Sequence, residues 1–316
     1  MKKFLTLCTL FAALATPAAA VMAQSSGSNT TVFAVPFSQS IDFVDGLASN
    51  TLVDSLLVTP KRVSDTRFVT ALGLQGMHAA NADTTVDFGY GLQARHYLNN
   101  AEFNLVNNKL GAGVTRRVNA KNTVSLRGDI NRSFAGSSYD PYYWMGHAGV
   151  AWAQSYTPRV SAVYGADVMR YAFDDADGLN TTQVQLSATP SYIFETLPLR
   201  ASVLLRVTDS AARDSFNGFQ SFEIAPQLTY LMPSRHGIDV GVHYGRARFD
   251  GEDSVQPVMR RDETYGFSVA YFAPLGQVFG ENVAGIARYS YSRNDSNVDR
   301  QDYDTNAISL GVGMSF

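Results

Sequence analysis

The end of the chain has the pattern that most restricts its fold. Over residues 307–316 apolar and small side chains alternate without exception, and the small ones are alanine, serine or glycine. A period of two places every apolar side chain on one face of a β-strand. The apolar positions are Ile308, Leu310, Val312, Met314 and Phe316.

The same period recurs through most of the chain. Apolar residues alternate with polar, charged or glycine residues over 86–92, 183–194, 199–207, 222–230, 238–244 and 265–271. Such strands fit a soluble β-sandwich, which turns the apolar face inward, or a membrane barrel, which turns it outward. Segments of about ten residues are long enough to cross a bilayer when tilted.

The lengths of the links between these strands favour the membrane barrel. Short links are predicted at Ala79–Asp83, Val118–Lys121, Tyr156–Pro158, Phe194–Leu197 and Leu231–His236. Longer links alternate with them, at Arg132–Pro141, Phe173–Thr181, Thr208–Asn217, Phe249–Arg260 and Ser292–Asp304. Outer-membrane barrels have short periplasmic turns and long outer loops in this way. Two links deviate, because Leu98–Ala101 is short for an outer loop and Ala273–Glu281 is long for a turn.

The predicted fold is an all-β, transmembrane, antiparallel up-and-down barrel of about fourteen strands, with a range of about 12–16. Thirteen strands follow the pattern between Thr66 and Phe316, and a first strand over about 31–43 completes the count. Pro36 interrupts that first strand, and residues 45–65 are then a long outer loop. Pro190 and Pro226 fall inside strands, where we expect local bulges or kinks. Aromatic residues near strand ends suit interfacial girdles, namely Phe194, Tyr230, Tyr271, Tyr289 and Tyr291.

A chain that ends on an apolar strand with a terminal phenylalanine resembles outer-membrane barrels, whose assembly machinery recognises the last strand. The resemblance implies that Ile308, Leu310, Val312, Met314 and Phe316 form an assembly signal. The N-terminus agrees, because Lys2 and Lys3 precede a short apolar run that ends in small residues. Residues 1–23 are therefore predicted to be a cleaved signal peptide, and residues 24–316 the barrel.

Composition excludes several classes of protein. The only cysteine, Cys8, lies in the predicted signal peptide, so the mature chain has no thiol for a disulfide, for catalysis or for a metal. Cleavage removes Lys2 and Lys3 and no acid, which moves the formal net charge from −3 to about −5. That charge argues against nucleic acid as a partner.

The face opposite the apolar one carries the candidate functional residues. Because a charge facing lipid at mid-depth costs a few kcal/mol, these side chains are expected to face a wet lumen. They either select solutes or pair with one another to fill the barrel. Inward glycines at 89, 91, 111, 113, 241, 245, 311 and 313 leave space there. The predicted lumen residues are Asp87, Arg95, Arg127, Asp129, Asp167, Arg200, Arg206, Glu223, Asp239, His243 and Arg288.

No motif predicts an enzyme, a cofactor or a metal site. A serine hydrolase needs a serine activated by histidine, and the nearest similar stretch, 294–297, has no preceding histidine and falls in a predicted outer loop. The acidic clusters Asp174, Asp175, Asp177 and Asp250, Glu252, Asp253 lack the spacing of an EF-hand. Solvated loops explain them better than calcium sites do.

The final hairpin resembles a narrower group of barrels. Residues 289–297 read YSYSRNDSN and are followed by Tyr303, Asp304 and the closing strand. This arrangement is similar to the end of surface lipoprotein assembly modifier barrels, in which the barrel often follows tetratricopeptide repeats. The resemblance covers about the last thirty residues and implies movement of lipoprotein or polysaccharide to the cell surface. Residues 24–31 are too few for a repeat domain.

The sequence therefore predicts a porin-like channel in the outer membrane of a Gram-negative bacterium, in contact with its lipid and with the barrel assembly machinery. A secretion or assembly barrel with an exported lipoprotein or polysaccharide as partner is the alternative. An outer-membrane enzyme or adhesin is the third hypothesis.

Deleting Phe316 is expected to impair assembly, because it removes the terminal aromatic of the predicted signal. The measurement is the amount of heat-modifiable barrel in outer-membrane fractions. Phe316→Trp, which keeps an aromatic end, serves as the control. Equal membrane levels of the truncated and full-length chains would refute the assembly signal.

Overall fold

The computed structural model describes residues 31–47, 62–174, 176–253, 257–276 and 283–315. The predicted signal peptide, 1–23, lies outside these residues. Within the described ranges no helix is long and apolar enough to cross a membrane. The strands are β1 (Thr31–Ala34), β2 (Pro36–Leu47), β3 (Arg62–Asn81), β4 (Thr84–Tyr97), β5 (Leu105–Asn119), β6 (Asn122–Ala135), β7 (Asp140–Ser155), β8 (Val160–Phe173), β9 (Thr181–Ile193), β10 (Leu199–Ala212), β11 (Phe219–Leu231), β12 (Gly237–Glu252), β13 (Met259–Pro274), β14 (Val283–Ser296) and β15 (Tyr303–Ser315).

The strands close into one antiparallel barrel. From β2 onwards each strand pairs with the next along the chain, and β15 pairs with β2 to complete the ring. Strands β1 and β2 both pair with β3 in one continuous register, so together they form a single barrel strand. The result is the predicted closed barrel of fourteen strands. Closure leaves no free sheet edge, which a membrane-spanning sheet cannot tolerate.

The first strand is longer than predicted. It was expected over 31–43, whereas β2 continues to Leu47 and pairs with the beginning of β3. The break falls at Val35, immediately before Pro36, whose missing N–H removes one ladder hydrogen bond. The first outer loop was predicted at 45–65, but both of its ends are strand. Its centre, 48–61, lies outside the described residues.

The two internal prolines do not form the expected bulges. Pro190 pairs with Ala162 on β8, and Pro226 pairs with Val203 on β10, so each sits in an unbroken strand. On the other side the pairs at each proline and at one adjacent residue are missing, yet the register is the same before and after the gap. A proline lacks one donor, so it weakens the ladder on one side only. Register shifts occur nearer strand ends, as between Ala79 and Asn81.

The predicted long links are shorter in the structure, because the strands continue beyond the apolar belt. At the end opposite Thr31 and Ser315, here called the loop end, the links are 48–61, 98–104, 136–139, 174–180, 213–218, 253–258 and 297–302. At the other end, the turn end, they are 82–83, 120–121, 156–159, 194–198, 232–236 and 275–282. The link after β4 is longer than predicted, since it contains a 3₁₀ turn over Ala101–Phe103. The link after β13 stays long for a turn, and its residues 277–282 lie outside the described part.

The apolar face points outward. Leu110, Leu126 and Leu310 are each more than half exposed, whereas the polar Ser133 and Gln183 on the opposite face are almost fully buried. A soluble sandwich would show the reverse. In the predicted assembly signal, Ile308, Leu310 and Val312 lie on the outer face. Phe316 lies outside the described residues, and recognition by the assembly machinery stays a prediction.

An arginine on the outer face should destabilise the barrel according to its depth. Leu110 lies within β5, opposite Tyr90 and Ile130, and is 57% exposed. Leu110→Arg is expected to lower the free energy of unfolding by about 2–4 kcal/mol, because the charge would lie in hydrocarbon. Val118, 60% exposed near the end of the same strand, is the matched control. Val118→Arg should cost about 0–1 kcal/mol. Urea titration in lipid vesicles measures both, and equal costs would contradict the outward assignment.

Candidate functional site

The barrel interior is the candidate functional site. In an antiparallel ladder, residues directly opposite each other share a face, so the register assigns each strand residue to the inner or outer wall. The predicted lumen residues lie on the inner wall, on strands β4, β6, β8 and β10–β12 and on β14. They are not spread evenly, and three groups can be distinguished by their contacts.

The first group is a row of alternating charge and glycine. The register aligns Asp87, Gly113, Arg127, Gly149 and Asp167 across β4 to β8. A Cβ at Gly113 would lie 2.8 Å from Asp87 Oδ1, and a Cβ at Gly149 would collide with the Asp167 carboxylate. The glycines therefore provide the space into which both carboxylates lean, on either side of Arg127.

The second group is centred on His147. Its Nδ1 lies 2.9 Å from Asp129 Oδ1, and its Nε2 lies 2.9 Å from Asp167 Oδ1. Lys109 Nζ approaches Asp129 Oδ1 to 3.1 Å, and the Asp129 side chain is only 1% exposed. His147 and Lys109 were absent from the predicted lumen set. Both residues alternate with outward-facing apolar residues on β5 and β7, and this alternation could have added them to the predicted set.

The His147 group is not arranged for nucleophilic catalysis or for metal binding. Both ring nitrogens face carboxylates, so neither is free to take a proton from a serine or to bind a cation. No group of three or more His, Cys, Asp or Glu side chains in the described ranges is arranged to hold a metal. The stretch 294–297 was predicted to lie in a loop, but Asn294–Ser296 belongs to β14. There Ser296 Oγ donates to Asp262 Oδ1 at 2.7 Å.

The first of the two acidic clusters at the loop end contacts arginines. Asp174 accepts two hydrogen bonds from Arg132, and Asp177 accepts one from Arg213 at 2.8 Å. Asp175 lies outside the described residues. These arginine contacts give Asp174 and Asp177 a structural role.

The third group contains the remaining lumen charges, some of which form ion pairs and some of which do not. Arg206 Nη1 lies 3.2 Å from Glu223 Oε2. Arg200 donates a hydrogen bond to Ser191 but forms no ion pair within the described ranges. Four predicted lumen arginines have no ion pair with any described residue, namely Arg95, Arg127, Arg200 and Arg288. Only two predicted lumen acids, Asp87 and Asp239, contact no lysine, arginine or histidine in the same ranges.

Large aromatic side chains lie on the inner wall at the loop end, and the sequence analysis did not include them among the lumen residues. Tyr97, Tyr143, Phe173, Phe219 and Phe249 have inner parity and are at least nine-tenths buried. In the sequence, these aromatic residues occupy inner-face positions near the strand ends, after a run of polar inner-face positions. That pattern could have predicted the aromatic layer.

The loop-end 3₁₀ turns pack against this aromatic layer. Phe103 meets the Tyr97 ring edge-on, with centroids 6.0 Å apart. A Cβ at Gly251 would lie 2.6 Å from Phe216 N, so the turn Ser215–Asn217 lies against the inner side of β12. Tyr97 N also donates to Asn104 Oδ1 at 2.8 Å, and Phe173 N donates in the same way to Asn180 at 2.7 Å. The link ends are thus held against the wall.

Comparison with known proteins supports the fold. No protein-family model matches the chain, and no curated protein matches it. The solved structure of the outer membrane channel DcaP of Acinetobacter baumannii is similar over 93% of this chain and 99% of that chain, with 12% identity and a TM-score of 0.51. OmpT of Vibrio cholerae is similar over 93% and 99%, with 9% identity and a TM-score of 0.50. The chain thus has the fold of an outer-membrane β-barrel.

Asp129→Asn is expected to lower the free energy of unfolding by about 1–3 kcal/mol, because it weakens the contacts to Lys109 and His147 at a buried position. Asp87→Asn, on the same wall but without an ion pair among the described residues, should change it by less than about 0.5 kcal/mol. Urea titration of the refolded barrel measures both. Equal effects would contradict a structural role for the His147 group.

Proposed function

We propose that the protein is an outer-membrane channel that passes solutes through its lumen. The observation that carries this proposal is the direction of the inner-wall contacts. In the described ranges, the hydrogen bonds and ion pairs of the lumen charges join neighbouring strands, as Lys109–Asp129, His147–Asp167 and Arg206–Glu223 do. A network that fills a barrel would cross it, whereas these contacts line a wall. Barrels of this strand number are wide enough for water unless a segment folds in.

The charges without ion pairs indicate which solutes the wall favours. Four arginines and two acids of the predicted lumen set are unpaired among the described residues, so the net charge of the unpaired residues in this set is positive. Nε of Arg127 is buried without a hydrogen-bond acceptor in the same ranges. Unpaired charges act on solutes more strongly than charges already neutralised by a neighbour. The channel is therefore expected to favour anions, although the whole chain is acidic.

The location and partners belong to the same proposal. Residues 1–23 direct export, the apolar face contacts outer-membrane lipid, and the last strand contacts the assembly machinery. Export of lipoprotein or polysaccharide, implied by the final hairpin, is the alternative. The aromatic layer at the loop end favours small solutes over such cargo, because its side chains project inward from the wall.

Purified barrel in a planar bilayer is expected to give stable conductance steps. In a salt gradient its reversal potential should indicate preference for the anion. Arg127→Gln removes one unpaired positive charge and should shift that potential towards the cation, whereas Arg127→Lys should leave it nearly unchanged. A silent bilayer from correctly folded protein would overturn the channel proposal.

The double variant Arg206→Gln, Glu223→Gln is the matched control for Arg127→Gln. It alters two lumen residues but removes one charge of each sign, so the reversal potential should stay close to that of the original chain. A shift as large as that of Arg127→Gln would show that net wall charge does not determine selectivity. Co-purification with an exported lipoprotein, together with absent conductance, would instead favour the export alternative.

A further inference from the structure

A charged patch covers the outer face of β12 to β14, immediately beyond the apolar belt towards the loop end. Tyr244 and Tyr265 are directly opposite each other and mark the edge of the belt. One step further, Arg246 is opposite Glu263, and a further step brings Arg248 opposite Arg261. The patch also contains Arg293 and Asp295 on β14, close to Glu263.

Two of the four arginines in this patch have local partners. Arg293 Nε lies 2.6 Å from Asp295 Oδ1, and Arg246 Nε lies 3.6 Å from Glu263 Oε1. Neither Arg248 nor Arg261 has an ion pair with a described residue, and both are exposed. Other acids on this face are Asp209 on β10, Asp250 on β12 and Asp304 on β15.

The opposition of Arg248 and Arg261 is unfavourable without an anion. Like charges directly opposite in an antiparallel pair destabilise the sheet. The backbone holds Arg261 in place, because its amide N donates to Asn297 Oδ1 at 2.7 Å and its carbonyl accepts from Asn297 N at 3.3 Å. Two arginines that are directly opposite in the ladder can both donate to one phosphate, whose oxygens accept paired hydrogen bonds from guanidinium groups.

We infer that Arg248 and Arg261 bind the phosphate group of an anionic lipid in the leaflet at the loop end. Tyrosine rings lie at the headgroup level of a bilayer. Arg248 and Arg261 are four residues beyond the tyrosines of the same strands, which is two outward-facing positions towards the loop end. A phosphate there joins two positive charges that have no partner in the described chain. Because the site is on the outer wall, it does not depend on whether solutes pass through the lumen.

The test is binding of a bisphosphorylated glycolipid, lipid A, to the full barrel in neutral detergent, with its dephosphorylated form as the reference lipid. The double variant Arg248→Gln, Arg261→Gln should bind lipid A about tenfold or more weakly, since it loses charge-assisted hydrogen bonds. Arg116→Gln is the matched control. It also changes an exposed arginine of the outer wall, but at the turn end, opposite Thr84 and Val124. It should bind lipid A as tightly as the original chain.

Equal lipid A binding by the double variant and the original chain would overturn the proposal, as would equal binding of the dephosphorylated lipid. Competition by inorganic phosphate at the affinity of the lipid would assign the pair to a free anion and overturn the lipid assignment. Heat-modifiable migration verifies that each variant is folded. Conductance recorded on the same samples separates this result from the channel proposal, because the double variant should keep the original conductance.

Discussion

The structure depends on the closure of the backbone hydrogen-bond ladder. In a bilayer, backbone donors and acceptors must find partners within the chain, so a sheet can span it only as a closed ring. Pairing of β15 with β2, from Asn306 with Asp45 to Ser315 with Pro36, completes that ring. Once the ring is closed, each strand has an inner and an outer wall. The period of two then decides which side chains meet lipid and which meet the lumen.

Much of the fold could be predicted because it depends on that period. The alternation at Ile308, Leu310 and Val312 recurs on strand after strand, and it was sufficient for the class, the strand number and the inner parity of Arg127 or Glu223. Strand ends could not be predicted in this way, because β12 and β13 continue past the belt with charged residues on the outer wall, and β13 has charged residues on the inner wall there as well. The 3₁₀ turns were missed for a related reason. Asn104 and Asn180 hold two of these turns by accepting hydrogen bonds from the backbone amides of Tyr97 and Phe173. Such contacts cannot be predicted from the alternation of apolar and polar residues.

The grouping of the lumen charges required the structure. Parity places Asp129 and Asp167 on one wall, but their connection through His147 depends on the stagger of β6, β7 and β8. Gly149 also required the structure, since it leaves room for the carboxylate of Asp167, which lies directly opposite on β8 and 18 residues further along the chain. At the two internal prolines, by contrast, a sequence rule predicted an irregularity that the structure does not contain. General rules predicted bulges or kinks at Pro190 and Pro226, yet the register is unchanged at both prolines, because each lacks a donor on one side only.

The central claim is that alternate residues of each strand face water and lipid, and single-cysteine scanning of β6 tests it most directly. The only cysteine, Cys8, lies in the predicted signal peptide, so a cysteine placed at 125, 126, 127 or 130 is alone in the mature chain. The measurement is the rate of labelling by a charged, water-soluble thiol reagent in vesicles. Fast labelling at 125 and 127, with slow labelling at 126 and 130, is the predicted result. Uniform rates, or the reverse pattern, would contradict a lipid-facing apolar wall around a wet lumen.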